Sequence, residues 1–259
     1  MQTILFHSTI FGPIHSRRLG TSLGVNLSPA DGKICSFDCL YCEAGFNAQG
    51  PGEAGLPPRE EVARLLEEKL KEMHEEGKNL DVITFSGNGE PTLHPDFPAI
   101  LDDTMELRSR YFPQAKVSVL SNSTRADRPD VAAALMRADN NIVKLDSAIT
   151  GTIRLLDRPN SPVFTAEKVI ADLEKFRGTG IVQTMMLRGS FEGERIDNTT
   201  PEEVSALIEA YRRIAPREIM LYSIDRPTPA RELEKIPAEE LHGIGAYIQK
   251  ETGIPVQVN

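Results

Sequence analysis

Short apolar runs of β type alternate with amphipathic helical stretches along almost the whole chain, and no other feature limits the possible folds as sharply. The runs are SLGVNL from Ser22, DVITFSG from Asp81, KVSVLSN from Lys116, IVKLDS from Ile142, IVQTMMLRG from Ile181 and EIMLYSI from Glu218. Between them the apolar period changes to a helical one. Val62, Leu65, Leu66, Leu70 and Met73 share one helical face, and Val169, Ile170, Leu173 and Phe176 share another. Thr200, Pro201 and Glu203 read as an N-cap, a first-turn proline and a capping-box partner for a helix carrying Val204, Leu207, Ile208 and Tyr211. A last helix is predicted over 238–252, stopped by Gly253 and followed by a strand-like tail over 254–258. Six strands separated by helices require parallel pairing through right-handed crossovers, which gives an α/β sheet curled into a barrel or an open part-barrel. With no internal repeat, residues 1–259 read as one domain with a short N-terminal strand and loop and a C-terminal helix and strand. The Pro- and Gly-rich stretch from Gly50 to Pro58 is the best candidate for a mobile loop.

All three cysteines of the chain fall within KICSFDCLYCEAG, as Cys35, Cys39 and Cys42. An odd number leaves one thiol outside any disulfide framework, so metal binding is the better account. A closed zinc site wants a fourth ligand, and no histidine follows at finger-like spacing. Thiolates are the standard ligands of iron–sulfur clusters, and a trio on a [4Fe–4S] cube leaves one iron open to another ligand. Idle buried thiols are the alternative, and the tight spacing disfavours it.

In parallel α/β folds the chemistry sits at the C-terminal ends of the strands. The first run leads into the cysteine loop. The second ends in Ser86-Gly87-Asn88-Gly89-Glu90-Pro91, where two glycines allow close backbone approach and a carboxylate follows; a plain glycine turn is the alternative. The third ends in Ser121-Asn122-Ser123, able to bond a ligand or to close a turn. The fourth puts Lys144 and Asp146 on one face of an otherwise apolar strand, which calls for mutual pairing or a bound partner. The fifth ends at Arg188-Gly189 and the sixth at Tyr222-Ser223-Ile224-Asp225-Arg226, so polar groups converge on one rim.

The cysteine loop with Tyr41 before its third cysteine, the GNGEP turn and the polar strand ends together resemble the radical S-adenosylmethionine (SAM) superfamily. The stretches GPIHSRRLGTSLGVNLSP, FSGNGEPTLHP, LDSAITGTIRLLDRPN and LYSIDRPTP are similar to small members related to the catalytic domain of wyosine-forming tRNA enzymes. The resemblance implies a partial (β/α)6 TIM-like barrel in which Cys35, Cys39 and Cys42 hold a [4Fe–4S] cluster whose open iron is chelated by the methionine end of SAM. It also implies that Gly87, Asn88, Gly89 and Glu90 contact the SAM amino group, and that Asn122, Lys144 and Asp146 serve its ribose or carboxylate. Tyr41 would meet the adenine through its backbone, and Leu187 and Arg188 would complete the nucleoside pocket. One-electron cleavage of SAM would then give methionine and a 5′-deoxyadenosyl radical that abstracts hydrogen from a substrate, with ferredoxin or flavodoxin as the low-potential donor. The second position of the usual GGE turn is Asn88, and the family's glycine-rich motif is not evident in QTMMLRGS.

Composition narrows the substrate. No cysteine remains for a second cluster, and 29 Lys+Arg against 38 Asp+Glu give a net charge of −9. Both argue against a nucleic-acid substrate such as tRNA and favour a small molecule or a peptide, with a wyosine-like RNA base-modifying enzyme as the alternative. A non-enzymatic iron–sulfur redox sensor is the alternative outside catalysis. Candidates for substrate contact are His15, Arg17 and Arg18 before the cluster loop and Tyr222, Asp225 and Arg226 at the last strand; an arginine paired with Asp225 is the structural alternative. His94 reads as helix-start packing. The opening MQTILFHSTIFGP has no basic start and no bilayer-length apolar run occurs, which points to a cytoplasmic protein without membrane contact.

Overall fold

The computed structural model describes residues 4–16 and 19–259. The chain runs β1 (Ile10–Ser16), β2 (Gly20–Val25), α1 (Arg59–Glu75), β3 (Val82–Phe85), α2 (Phe97–Tyr111), β4 (Lys116–Ser121), α3 (Pro129–Arg137), β5 (Asn140–Lys144), α4 (Thr150–Asp157), α5 (Ala166–Leu173), β6 (Ile181–Phe191), β7 (Glu194–Asp197), α6 (Pro201–Ile214), β8 (Glu218–Ser223), β9 (Leu233–Lys235), α7 (Ala238–Thr252) and β10 (Val256–Val258). The strands lie in the order β1-β2-β3-β4-β5-β6-β8-β10, all parallel from β2 onward. The six predicted runs are β2, β3, β4, β5, β6 and β8, and they form the wall of a partial TIM-like barrel. Among the described residues no helix is long and apolar enough to cross a membrane.

Burial follows the periodicity. Val62, Leu66, Leu70 and Met73 of α1 are buried, as are Val169, Ile170 and Leu173 of α5. On the inner face the barrel is floored by Ile142, Ile181 and Met220, with Leu19 and Leu120 against them. The tail pairs with β8 as β10, and α7 ends at Gly253 in the left-handed conformation, as predicted.

Some expectations are corrected. Thr200 Oγ1 accepts from Glu203 N at 3.3 Å, but Glu203 does not return the bond; its carboxylate accepts from Ser147 Oγ at 2.6 Å and Thr152 Oγ1 at 2.5 Å. Half a capping box is therefore traded for a tie between α6 and α4. The Gly50–Pro58 loop is tethered, because the Asp31 carboxylate accepts from Glu53 N at 2.8 Å and Ala54 N at 3.1 Å. β6 extends past the barrel, where β7 and β9 pair with it antiparallel as a small flap. β1 is antiparallel to β2 and sets His15 opposite Thr21, at the end of the sheet away from the cysteine loop, so His15 is not part of the cysteine rim. Arg17 and Arg18 lie outside the described residues.

Candidate active site

The loop after β2 carries the cysteines and is fastened at several points. Ile34 and Gly89 form an isolated parallel bridge, with Ile34 N donating to Asn88 O at 3.1 Å and Glu90 N donating to Ile34 O at 3.0 Å. Gly89 has φ +145°, and a Cβ there would stand 1.9 Å from the Ile34 carbonyl oxygen. The glycines of the GNGEP turn thus admit the cysteine loop itself to close contact. On the other side Asp38 N donates to Asp157 O at 2.9 Å and Leu40 N to Leu156 O at 3.0 Å, while Asn160 Nδ2 donates to Cys35 O at 3.1 Å. Buried Lys33 closes the loop by donating to Gly45 O at 2.6 Å.

Cys35, Cys39 and Cys42 all line one cavity of about 290 Å³ at the C-terminal ends of the strands. Cys39 is buried and the other two are half-buried. Burial, reinforced by Glu90, pushes the Cys35 thiol up to about 12, and burial with nearby Asp157 holds Cys39 well above the usual thiol range. Among the described residues no three His, Cys, Asp or Glu side chains converge closely enough to ligate a single metal ion.

The wall formed by the β3 and β4 ends is saturated with its own hydrogen bonds. Glu90 Oε1 accepts from Thr92 N at 3.0 Å, Thr92 Oγ1 at 2.5 Å and Ser121 Oγ at 3.0 Å, and Oε2 accepts from Asn122 N at 2.6 Å. Burial still raises this carboxyl above the ordinary glutamate value, against the pull of those bonds. Asn122 Nδ2 donates to Ser36 Oγ at 2.9 Å and reaches Cys35 Sγ at 3.5 Å. Gly87 lines the cavity, but the Asn88 side chain does not: it accepts from Phe6 N at 2.8 Å and donates to Phe6 O and Pro29 O at 2.9 and 3.0 Å. Asn88 pins the N-terminal segment.

The opposite wall, from β5, β6 and β8, is charged. Lys144 Nζ donates to Tyr41 OH at 2.5 Å, Tyr222 OH at 3.3 Å and Asp146 Oδ2 at 3.3 Å. Tyr41 OH donates to Asp146 and, at 3.1 Å, to Asp157 Oδ1. Burial disfavours the Lys144 ammonium, yet Asp146, with Tyr222 and Asp157, outweighs it and holds the group well above the usual lysine range. Asp157 is pushed well up by burial and by Asp146, and its Oδ2 is buried without a hydrogen-bond partner. Gln183 and Met185 of β6 complete this side.

An annex of about 110 Å³ opens off this wall and shares Tyr41, Glu43, Met185 and Tyr222 with the main cavity. Asp225 and Arg226 belong to the annex, where Arg226 pairs with Glu43 at 2.6 Å and Lys235 with Asp225 at 2.9 Å. Leu187 and Arg188 are corrections. Leu187 is fully buried beneath the flap, its N–H bonded to Asn198 Oδ1 at 2.9 Å, and Arg188 turns outward to Thr199 at 2.9 Å and to Glu240. Neither lines the cysteine cavity, because β6 there leaves the barrel for the flap. His94 is a packing residue, its Nε2 2.9 Å from Pro57 O. Asp157, Glu43 and Gln183 were not singled out from the sequence. Gln183 had a visible signal, a polar side chain alternating with Val182 in an apolar run, whereas Asp157 had none locally, since Tyr41 lies 116 residues away.

A family profile described as the Radical SAM superfamily matches residues 31–195. A protein named GTPase Obg from Brachyspira hyodysenteriae is 28% identical over 253 residues, 96% of this chain and 35% of that protein. UPF0026 protein slr1464 from Synechocystis sp. is 31% identical over 232 residues, covering 87% of this chain and 79% of that one. The chain thus spans about a third of the length of the first relative, and its own sequence has no Gly-x4-Gly-Lys-Ser/Thr phosphate loop. Among solved structures, a radical SAM methyltransferase from Sphaerobacter thermophilus superposes with a TM-score of 0.66 at 17% identity, over 92% of this chain and 65% of that one. A structure of TYW1 with a lysine-pyruvate adduct bound gives 0.60 at 13% identity, over 90% and 75%. At these identities the likeness to solved structures is one of fold.

Proposed function

Since the chain belongs to the radical SAM superfamily, we propose that it is a radical SAM enzyme in which Cys35, Cys39 and Cys42 hold a [4Fe–4S] cluster, and that SAM binds beside it in the cysteine cavity and its annex. The observation that carries this reading is the placement of the thiols: all three open into one cavity at the C-terminal ends of the strands. Three thiolates suit a cube, which takes one on each of three irons and leaves the fourth open, whereas a closed zinc site wants a fourth protein ligand. Bound there, cluster and SAM supply one-electron cleavage of the sulfonium and removal of a hydrogen atom from a substrate.

The chain's own residues do the placing. The Ile34–Gly89 bridge fixes the cysteine loop against the GNGEP turn, so the thiols and the cavity wall move as one body. Because all four hydrogen bonds of Glu90 go to protein donors, it acts as a positioning residue that sets Asn122 and Ser121, and the backbone of Gly87–Glu90 is left to meet the amino group of SAM. Asn122 Nδ2, already near Cys35 Sγ, is the donor available to a thiolate or a neighbouring carboxylate. Lys144, which lines the cavity, presents its ammonium to the ribose or carboxylate end, whereas Asp146 is fully buried behind it, with Oδ1 bonded to Met185 N and Oδ2 to Tyr41 and Lys144, so the carboxylate expected to meet SAM instead positions Lys144. The annex, with Tyr41 and Met185 on its wall, has room for one edge of the nucleoside, the rest of which would lie in the main cavity. A low-potential donor such as ferredoxin or flavodoxin supplies the electron.

Anaerobic reconstitution tests the proposal. About four iron and four sulfide per chain are expected, with 5′-deoxyadenosine formed on adding SAM and dithionite. Cys39→Ala should lose both. A stoichiometric zinc site, or a full cluster that never yields deoxyadenosine, would overturn the reading.

A further inference from the structure

Below the cysteine cavity the barrel interior holds a smaller cavity of about 110 Å³, and the two share Ser86, Leu120 and Gln183. Ile142, Met220 and Leu19 close it from below. Gln183 stands where the cavities meet. Its neighbour Thr184 sends a hydroxyl outward to Tyr211 of α6 at 2.6 Å, so Gln183 points inward, as strand alternation requires. Its partners across the sheet are Lys144 and Met220. Gln183 is 8% exposed, its side chain makes no hydrogen bond to another described residue, and its amide is not sealed off but opens onto the two cavities it lines. The other polar side chains on this wall, Lys144 and Tyr222, have protein partners, which leaves the Gln183 amide as the group free to meet a ligand.

We infer that the interior cavity is a substrate subsite, in which Gln183 recognises an open-chain carboxamide arm by pairing edge to edge with its N–H and C=O. This rests on the proposed function, in that the ligand is taken to be the substrate of that same site. A glutamine amide offers a donor and an acceptor together; another carboxamide satisfies both, while a carboxylate or an ammonium satisfies one. The apolar part of the lining favours the same class, and the Ser22 and Thr84 hydroxyls beside it are spent on each other at 2.9 Å. Leu120, Ile142 and Met220 suit a short methylene stem and penalise an ion. The volume admits roughly four water-sized units, which matches a carboxamide with a methylene or two. An arm anchored there leaves the rest of the substrate in the cysteine cavity, where hydrogen is to be removed.

Calorimetric titration of the cluster-loaded, SAM-bound protein with isosteric probes tests the inference: propanamide, propionate and propanamidinium. Propanamide is expected to bind at least about tenfold more tightly than either ion, the difference of one hydrogen bond. Gln183→Leu should erase that preference, and Gln183→Glu, which keeps the size of the side chain, should turn it toward propanamidinium. Equal binding of the probes, no saturable heat with propanamide, or a preference that survives Gln183→Leu in protein that still takes up iron overturns the inference and leaves ordered water as the occupant. N-acetylglutamine methylamide separates the sources of the arm. If it binds as well as propanamide the arm is a peptide side chain, and if propanamide alone binds it belongs to a free small molecule. Deoxyadenosine formation by the same wild-type protein is read separately: nucleoside without propanamide binding removes only the subsite, and propanamide binding without nucleoside removes only the radical chemistry.

Discussion

The two walls of the cysteine cavity are built on opposite principles. On the β3–β4 side the polar groups are largely consumed by the protein: Glu90 accepts four hydrogen bonds, Asn88 is spent on Phe6 and Pro29, and Asn122 is held by Ser36 and Thr124 with Nδ2 left near Cys35 Sγ. On the β5–β6–β8 side the Lys144 ammonium faces the cavity, held from behind by the buried Asp146 and Asp157 through a shared tyrosine hydroxyl, and the Gln183 side chain has no hydrogen bond among the described residues. The first wall is a frame whose geometry no ligand needs to complete. The second carries unspent hydrogen-bonding capacity, which a folded protein retains at a cost where something is to be bound.

Breaking the frame should have the largest effect. Gly89→Ala puts a Cβ 1.9 Å from the Ile34 carbonyl oxygen at a φ of +145°, so the bridge must open. A loss of at least about 3 kcal/mol is expected, or a thermal midpoint lower by roughly 6–12 °C, with iron uptake falling in parallel. A shift under about 1 kcal/mol would mean that the bridge does not hold the loop. On the other wall, Tyr41→Phe removes the hydroxyl shared by Lys144, Asp146 and Asp157 and strands buried charge. About 2–3 kcal/mol of stability should go, measured by denaturant unfolding, while iron uptake stays near wild type because the frame is untouched. Equal losses of iron in the two variants would erase the distinction between the walls.

The same contrast explains what the sequence disclosed. Strands and cysteines were legible because their signals are local: β runs of one period between helices of another, and thiols a few residues apart. The partial barrel and the strand-end rim follow directly. Leu187 and Arg188 went astray because β6 continues beyond the barrel into an antiparallel flap, and nothing in the run IVQTMMLRG marks where the change occurs. His15 precedes the cysteine loop in sequence but not in space, because β1 runs antiparallel to β2 and ends opposite Thr21, at the far end of the sheet. The frame wall could be named as GNGEP but not understood, since the groups that saturate Glu90 and Asn88 come from β4 and the N-terminal segment. Asp157 sits in a helix end whose meaning depends on Tyr41 across the fold.

Acid titration sharpens the comparison with a smaller effect. The Glu90 carboxyl lies above the ordinary value of 4.5, burial outweighing its hydrogen bonds. Its folded form therefore holds its proton more tightly than the unfolded chain does, so its contribution to stability is full below the unfolded pKa and is lost as pH rises through the folded pKa. The advantage of wild type over Glu90→Gln, followed by urea unfolding across that window, should shrink as pH rises. An advantage that grows with pH would show the hydrogen bonds winning over burial, and the frame would then be anchored by a carboxylate.

The smallest effect belongs to the mouth of the annex. Arg226 and Glu43 meet at 2.6 Å, but their side chains are 55% and 48% exposed, so water and salt screen the pair from both sides. A double-mutant cycle of Arg226→Ala and Glu43→Ala should give a coupling under about 0.5 kcal/mol, smaller still in high salt. That is what a rim able to open for a ligand requires, since the pair must exchange partners without loosening the fold. Lys144 and Asp146 lie only a few side chains deeper, yet there burial removes the screening and the same kind of contact becomes structural. A coupling above about 1.5 kcal/mol at the mouth would put Arg226 with the frame, and the division of the cavity into a finished wall and an unfinished one would have to be redrawn along the annex.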